Sequence, residues 1–401
     1  MFIRLFMASV GLLWGIAVAQ AQIQVIKGAG EKTSIDWSAY SAAGDEASQT
    51  FLKTMTADLL RSGWFKRGAP GSSELALTGS TSVSGPLRVQ AVVYGRTAGR
   101  QLFGKGYSGD PAGARRLAHQ VADEIIEAVT GRKGISSTRI ALIGNRSGKK
   151  ELYLCDADGQ GLLQVTRDNT ISIGPNWSPD GRQIVYTSYL KGFPDIYSID
   201  VASGSRRRLC NFPGLNTGAS LSPNGREMAV ILSRDGNPEL YVMNVNGGGL
   251  VRLTQTRRAA EASPSWSPDG SRIVYVSDQA GTPQLYMVSR SGGEPRRLTS
   301  RGSQNVAPDW GRNNMIAYAS LFGSRWNICV LDPESLQTKQ ITTGDADYED
   351  PTWAPDGRHI AAGRSVRYQS KVYLLDTMGD TPIALTEYPG DWYSPAWAPG
   401  K

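Results

Sequence analysis

Past residue 137 the chain is a succession of short apolar runs rich in Val, Ile and Tyr, each stopped by Gly, Asn, Asp or Pro. Ile184-Val185-Tyr186, Ile273-Val274-Tyr275 and Ile316-Ala317-Tyr318 open one series of runs. Ile196-Tyr197-Ser198-Ile199, Leu240-Tyr241-Val242-Met243 and Leu285-Tyr286-Met287-Val288 form a second, and Arg207-Arg208-Leu209, Arg252-Leu253-Thr254 and Arg297-Leu298-Thr299 a third. Runs this short, with period-two alternation and tight-turn residues between them, predict antiparallel strands rather than helices. The first 137 residues differ. Phe51, Met55 and Leu59 are spaced for one helix face, between Asp45 and Trp64. Leu117, Val121, Ile125 and Ala128 mark a second helix, opened by Asp110-Pro111 and stopped by Gly131. Between the helices, 74–79, 87–94 and 101–107 alternate like strands. Gly131-Arg132-Lys133-Gly134 reads as a hinge.

The strand series repeats. W-S-P-D-G stands at 177–181 and again at 266–270, and related copies begin at Leu221, Trp310, Trp353 and Trp397. The six anchors are spaced by 44, 45, 44, 43 and 44 residues. Four strands per unit at this period describe the blade of a β-propeller. The C-terminal Trp397 lacks the strand that should follow it, and Thr138–Ile143 supplies a strand with no Trp before it. One blade is therefore expected to be completed by both ends of the repeat region, which removes the exposed sheet edges. The expected fold is mainly β, a six-bladed propeller of four-stranded blades preceded by a small α/β domain. The expected divisions are 1–21, 22–135 and 136–401.

This assigns W-S-P-D-G a scaffolding role. The Trp fills space between blades, Pro fixes φ, and Gly supplies a positive φ for the turn. The copies Leu221-Ser-Pro-Asn-Gly and Trp310-Gly-Arg-Asn-Asn read as places where the turn geometry is relaxed. Binding is expected instead in the segments that precede each Trp and differ between repeats, namely 169–176, 212–219, 256–264, 302–308, 344–351 and 388–395.

Arg4 precedes an apolar run from Leu5 to Ala19 and an Ala19-Gln20-Ala21 cleavage pattern. This is the signature of an export signal cut after Ala21, leaving a soluble mature chain outside the cytoplasm. Cys155, Cys210 and Cys329 are an odd number in strand-like apolar contexts, which argues for buried thiols rather than a disulfide framework. The net charge of +7 is spread along the chain, and Arg206–Arg208 and Arg296-Arg297 occupy equivalent repeat positions. Solvated blade faces explain this better than a nucleic-acid site.

Catalytic signatures are missing. The two histidines, His119 and His359, have no His or Cys partner at zinc-ligand spacing, and no G-x-S-x-G elbow or phosphate-binding loop occurs. Asp156-Ala157-Asp158-Gly159 lacks the Glu that would complete a calcium loop and reads as a turn. The acidic stretch Asp345, Asp347, Glu349 and Asp350 reads as a solvated rim, with a channel-mouth cation as the sharper alternative. No metal or cofactor is expected. The enzyme alternative is the propeller of a prolyl-oligopeptidase-type hydrolase without its catalytic domain. A sugar or lipid site in the channel rests on the rim aromatics Trp392 and Tyr393 alone.

Several stretches carry a family resemblance. Val129-Thr130-Gly131-Arg132-Lys133-Gly134 followed by Thr138-Arg139-Ile140-Ala141, then Leu240–Met243, Ser277-Asp278-Gln279-Ala280-Gly281 and Gly302-Ser303-Gln304-Asn305, resemble the TolB family over the whole mature chain. The resemblance implies a monomeric, non-enzymatic periplasmic component of the Tol–Pal envelope system, supporting outer-membrane integrity and cell division. It implies docking of the lipoprotein Pal on propeller loops facing away from the α/β domain, through Asn216, Ser303, Gln304 and Asn305. It also implies engagement of TolA by the mature N-terminus, Gln22, Ile23, Gln24, Val25 and Ile26, coupled to Pal docking, with no membrane insertion. Leu215 stands where family members carry a His.

Overall fold

The computed structural model describes residues 31–97 and 99–400. The export signal and the arm Gln22–Ile26 lie outside the described residues. Helix α1 (Glu46–Arg61) begins at Asp45, whose carboxylate accepts the Ser48 N–H at 2.8 Å. Pro111–Gly113 form a short 3₁₀ turn capped by Asp110, and α2 (Ala114–Thr130) continues from it to Gly131 at φ 68°. The two helices pack Phe51, Met55, Leu59, Val121 and Ile125 against one face of a six-stranded sheet. Three strands of that sheet, Thr33–Asp36, Tyr40–Ala42 and Phe65–Arg67, are too short to show period-two alternation and were not legible as strands. The expected hinge is strapped down: Asp123 of α2 accepts the N–H groups of Ser136 and Ser137 at 2.8 Å each.

Six four-stranded antiparallel sheets follow. Their innermost strands are Ser172–Trp177, Asn216–Leu221, Glu261–Trp266, Asn305–Trp310, Asp347–Trp353 and Trp392–Trp397, which begin blades one to six in that order. Blade six is closed as expected: Trp392–Trp397 pairs with Arg139–Gly144, with Trp397 opposite Ile140. About half of each segment expected to be a loop, its C-terminal part, is strand. Each inner strand shifts register three residues before its Trp anchor, where Gly174, Gly218, Ser263, Ala307, Asp350 and Ser394 have φ between 41° and 64°. A left-handed residue inside a strand makes a bulge that bends it and re-aims the residues that follow. Alternation is broken at that point, so the stretch reads as loop in the sequence.

The bulge brings each anchor against the preceding blade. Trp177 packs with Ala141, Leu152 and Leu154 of blade six, and its indole N–H donates to the Ala396 carbonyl at 2.9 Å. The residue before each anchor completes a belt around the ring. Asn176 accepts from Leu221 N–H at 3.3 Å, Ser265 from Trp310 at 3.0 Å, Asp309 from Trp353 at 2.6 Å and Thr352 from Trp397 at 3.1 Å. The Trp266 indole donates to the Ser220 carbonyl at 3.0 Å, so each of the six seams is bridged.

The turns after the first five anchors are equally regular. Ser178 donates to Asp180 at 2.6 Å and accepts from Gln183 N–H at 2.9 Å, with Gly181 at φ 68°. Ser222 and Asn224 repeat the pattern at 2.8 Å. The variant copies are not relaxed. In the fourth copy Asn313 caps Met315 N–H at 3.0 Å, as Asp180 caps Arg182, and Asn314 takes the left-handed position at φ 61°. Asn tolerates that conformation better than other non-glycine residues, so the turn survives without Asp-Gly.

Burial at Asp309 holds its carboxyl pKa above the ordinary value, against the opposing bonds from Trp353, Thr352 and Ser265. Asp309→Asn keeps an acceptor without a buried charge and is expected to leave the urea midpoint unchanged or higher at pH 7. Asp309→Ala strands the Trp353 N–H and is expected to cost about 1–3 kcal/mol. Equal losses in the two variants would refute the belt.

Candidate docking faces

Chain direction sorts the loops between the two ends of the ring. Inner strands run from one end toward the anchors, so the 169–171 and 211–215 segments and the turns 189–194 and 367–368 share the first end. The anchor turns occupy the other. The α/β domain sits on the anchor end, where Arg115 of α2 meets Asp158 at 2.9 Å and Arg358 donates to the Gly63 carbonyl at 3.1 Å. The variable loops therefore face away from it.

Two of the expected contact residues are not at the surface. Asn216 and Asn305 are fully buried at equivalent positions, five residues before their anchors. The Asn216 amide donates to the carbonyls of Phe212 at 2.8 Å and Pro194 at 3.2 Å and accepts the Phe212 N–H at 2.9 Å. Asn305 donates to Gln284 at 2.8 Å and to the Arg301 carbonyl at 2.9 Å. Both side chains shape the loops they stand in. Ser303 is exposed and Gln304 half-exposed, held by backbone bonds to Leu321 at 3.0 and 2.9 Å. Asn216 and this trio lie on the same end but two blades apart, so they are not in one cluster.

Apolar side chains that the repeat pattern did not single out stand on the same end. Phe193 is 74% exposed, and Ile171 and Leu190 flank a backbone bond from Tyr189 N–H to the Ile171 carbonyl at 3.0 Å. Tyr368 is fully exposed at the tip of the long hairpin of blade five, where Arg367 and Tyr368 both have positive φ. The unusual strand length of that hairpin is the one sequence signal that could have found it. Trp392, by contrast, is not a rim aromatic. It is fully buried, edge-on to Tyr153 at 5.0 Å, and a Cβ on Gly144 would lie 2.3 Å from its ring.

Two residues of the acidic stretch are tied into the seams. Asp347 accepts from Arg325 at 3.1 Å and from Trp326 N–H at 3.0 Å, and Asp350 accepts from Ser394 at 2.6 Å. In the first Arg cluster Arg206 pairs with Asp168 at 2.7 Å and Arg208 with Asp195 at 3.3 Å, and in the second Arg297 donates to the Thr299 carbonyl at 2.6 Å. Cys155, Cys210 and Cys329 are free and buried. His119 lies near Asp58 and Asp158, a grouping that sequence spacing could not show, but Arg115 already supplies a cation to Asp158. Among the described residues no helix is long and apolar enough to cross a membrane.

Glu261 occupies in blade three the position that Asn216 and Asn305 hold in theirs. Burial, with the charges of Glu239 and Asp278, pushes its pKa up to about 7, against a bond from Ser277. A carboxyl with a raised folded-state pKa loses stability as pH rises above its ordinary value, between 4.5 and about 7 here. Glu261→Gln is expected to abolish that part of the decline in melting temperature across the interval. Parallel curves for the two proteins would show that Glu261 is not desolvated.

A family model described as the TolB β-propeller domain matches residues 126–401. A Tol–Pal system protein TolB of Dechloromonas aromatica is 34% identical over 239 residues, covering 53% of this chain and 55% of that protein. One of Polaromonas is 36% identical over 156 residues, covering 38% of this chain and 36% of its own length. The chain thus spans about a third to just over half the length of these relatives. The crystal structure of TolB from Acinetobacter baumannii matches with a TM-score of 0.81 at 24% identity, covering 92% of this chain and 97% of that one.

Proposed function

The chain belongs to the TolB family, and on that premise we propose that it is a non-catalytic periplasmic scaffold of the Tol–Pal envelope system. Its variable loop end docks Pal, and its mature N-terminal arm, Gln22–Ile26, engages TolA. One observation carries this reading. The ends of the ring are chemically unequal: the anchor end is covered in part by the α/β domain, while the opposite end presents Phe193, Ile171 and Leu190 at blade one, Ser303 and Gln304 before blade four and Tyr368 on blade five. Aromatic and aliphatic anchors within a polar rim are the composition that protein interfaces favour. The propeller of a prolyl-oligopeptidase-type hydrolase is not favoured by a family match that names a TolB propeller.

In this account the Pal-facing residues divide by burial. Ser303 and Gln304 touch the partner directly, together with Phe193. Asn216 and Asn305 act from beneath by holding their loops, and Leu215, half-buried, presents an apolar contact where the family carries an imidazole. Pal captured on beads is expected to retain the mature protein. Phe193→Ala and Gln304→Ala should weaken binding about fivefold or more, on the order of 1 kcal/mol each, without moving the melting temperature. Asn216→Ala and Asn305→Ala should lower both. Undiminished binding in all four variants, or no retention of the unaltered protein, would remove this end of the ring as the docking face.

A further inference from the structure

Both histidines of the chain lie in the seam between the α/β domain and the propeller. His119, on α2, is 3% exposed. Its Nδ1 meets Asp58 of α1 at 2.5 Å, and its Nε2 lies 3.9 Å from Asp158, in the propeller turn that follows Glu151–Asp156. His359, on the propeller side, stands between Asp356 at 2.6 Å and Asp376 at 3.8 Å, and Asp376 holds Arg358, the residue that reaches Gly63. The two clusters adjoin through Arg61, which bonds Asp58 and lines a cavity with His359 and Asp376.

The charges around His119 balance in one protonation state. Facing it are Asp58 and Arg61 from α1, Arg115 from its own helix, and Asp156 and Asp158 from the propeller turn. With the ring neutral, three carboxylates confront two guanidinium groups; a proton on the ring makes the numbers equal. Among the described residues, the ion-pair partners that reach this group from the propeller are the carboxylates of Asp156 and Asp158, so docking adds negative charge beside the ring. Burial disfavours the charged imidazole, yet the bond and charge of Asp58 and the charge of Asp158 hold its pKa above the ordinary 6.5.

We propose that this seam is a proton-operated latch: protonated His119 clamps α2 to the Asp156–Asp158 turn, and loss of the proton loosens the α/β domain from the ring. The direction follows from linkage. A histidine whose pKa is raised contributes stability that is complete below 6.5 and disappears as pH climbs through the raised value. Its consequence for signalling between Pal and TolA rests on the proposed function, but the latch itself does not.

The test therefore uses the mature protein alone. With two histidines, a ring ¹H–¹³C spectrum gives one Cε1–H signal for each ring, and both can be followed from pH 5.5 to about 9. Protection of the 156–160 amides and of α2 against hydrogen exchange is measured over the same range and corrected for base catalysis. The His119 ring is expected to titrate above 6.5. Protection should fall in step with it, by about tenfold for each unit by which docking raises the ring pKa. His119→Gln should show no step. Asp158→Asn, in a propeller turn outside both cores, should move the ring titration to lower pH. Protection that stays flat through the titration, the same step in His119→Gln, or an unmoved titration in Asp158→Asn would each overturn the latch. Loss of Pal capture would not bear on it.

Discussion

Six hydrogen bonds, one across each seam, tie the inner strands into a ring, and the rest of the molecule is arranged around them. Four use a polar side chain just before the anchor, at Asn176, Ser265, Asp309 and Thr352. Two use an indole N–H, at Trp177 and Trp266. Each depends on the left-handed residue two positions before the belt residue, which turns the strand so that the anchor enters the neighbouring blade. A non-glycine residue in that conformation costs roughly 1–3 kcal/mol, a strain repaid by burying an anchor side chain and satisfying a backbone N–H. The closing strand Trp392–Trp397 belongs to the belt as well as to blade six, so the ring closes through side chains and through strand pairing together.

A ring held from within leaves its two ends free to differ. At the anchor end the turns are alike and provide a platform for the α/β domain, fastened by Arg115 and Arg358. At the other end the strand starts carry unlike residues at equivalent positions, Ser172, Asn216, Glu261 and Asn305 among them. What varies there changes loop shape without disturbing the belt. This separation lets the rim vary while the core stays the same.

Much of this was legible because a repeat magnifies weak signals. The spacing of the anchors predicts blade number, the unmatched strands at the two ends of the repeat region predict closure, and the structure agrees with both. Position within a strand was harder to read. The bulge shifts inward parity, so Asn216 and Asn305 look like surface polar residues while their side chains are buried in loop bonds. Trp392 looks like a rim aromatic for the same reason. The histidine seam was invisible because its partners are far apart in the chain: Asp58 and His119 are 61 residues apart, and Arg358 reaches Gly63 across 295. In the fourth anchor copy the letters changed while Asn313 and Asn314 preserved the turn they replaced.

The central claim is that the loop end, away from the α/β domain, is the working surface of this scaffold. Hydrogen-exchange footprinting of the mature protein with and without Pal tests it most directly. The account predicts added protection at 169–171, 189–194, 211–215 and 302–304, with the anchor turns, including 178–182 and 267–271, unchanged. Protection confined to the anchor turns or to α1 and α2, with the loop end unaffected, would contradict it.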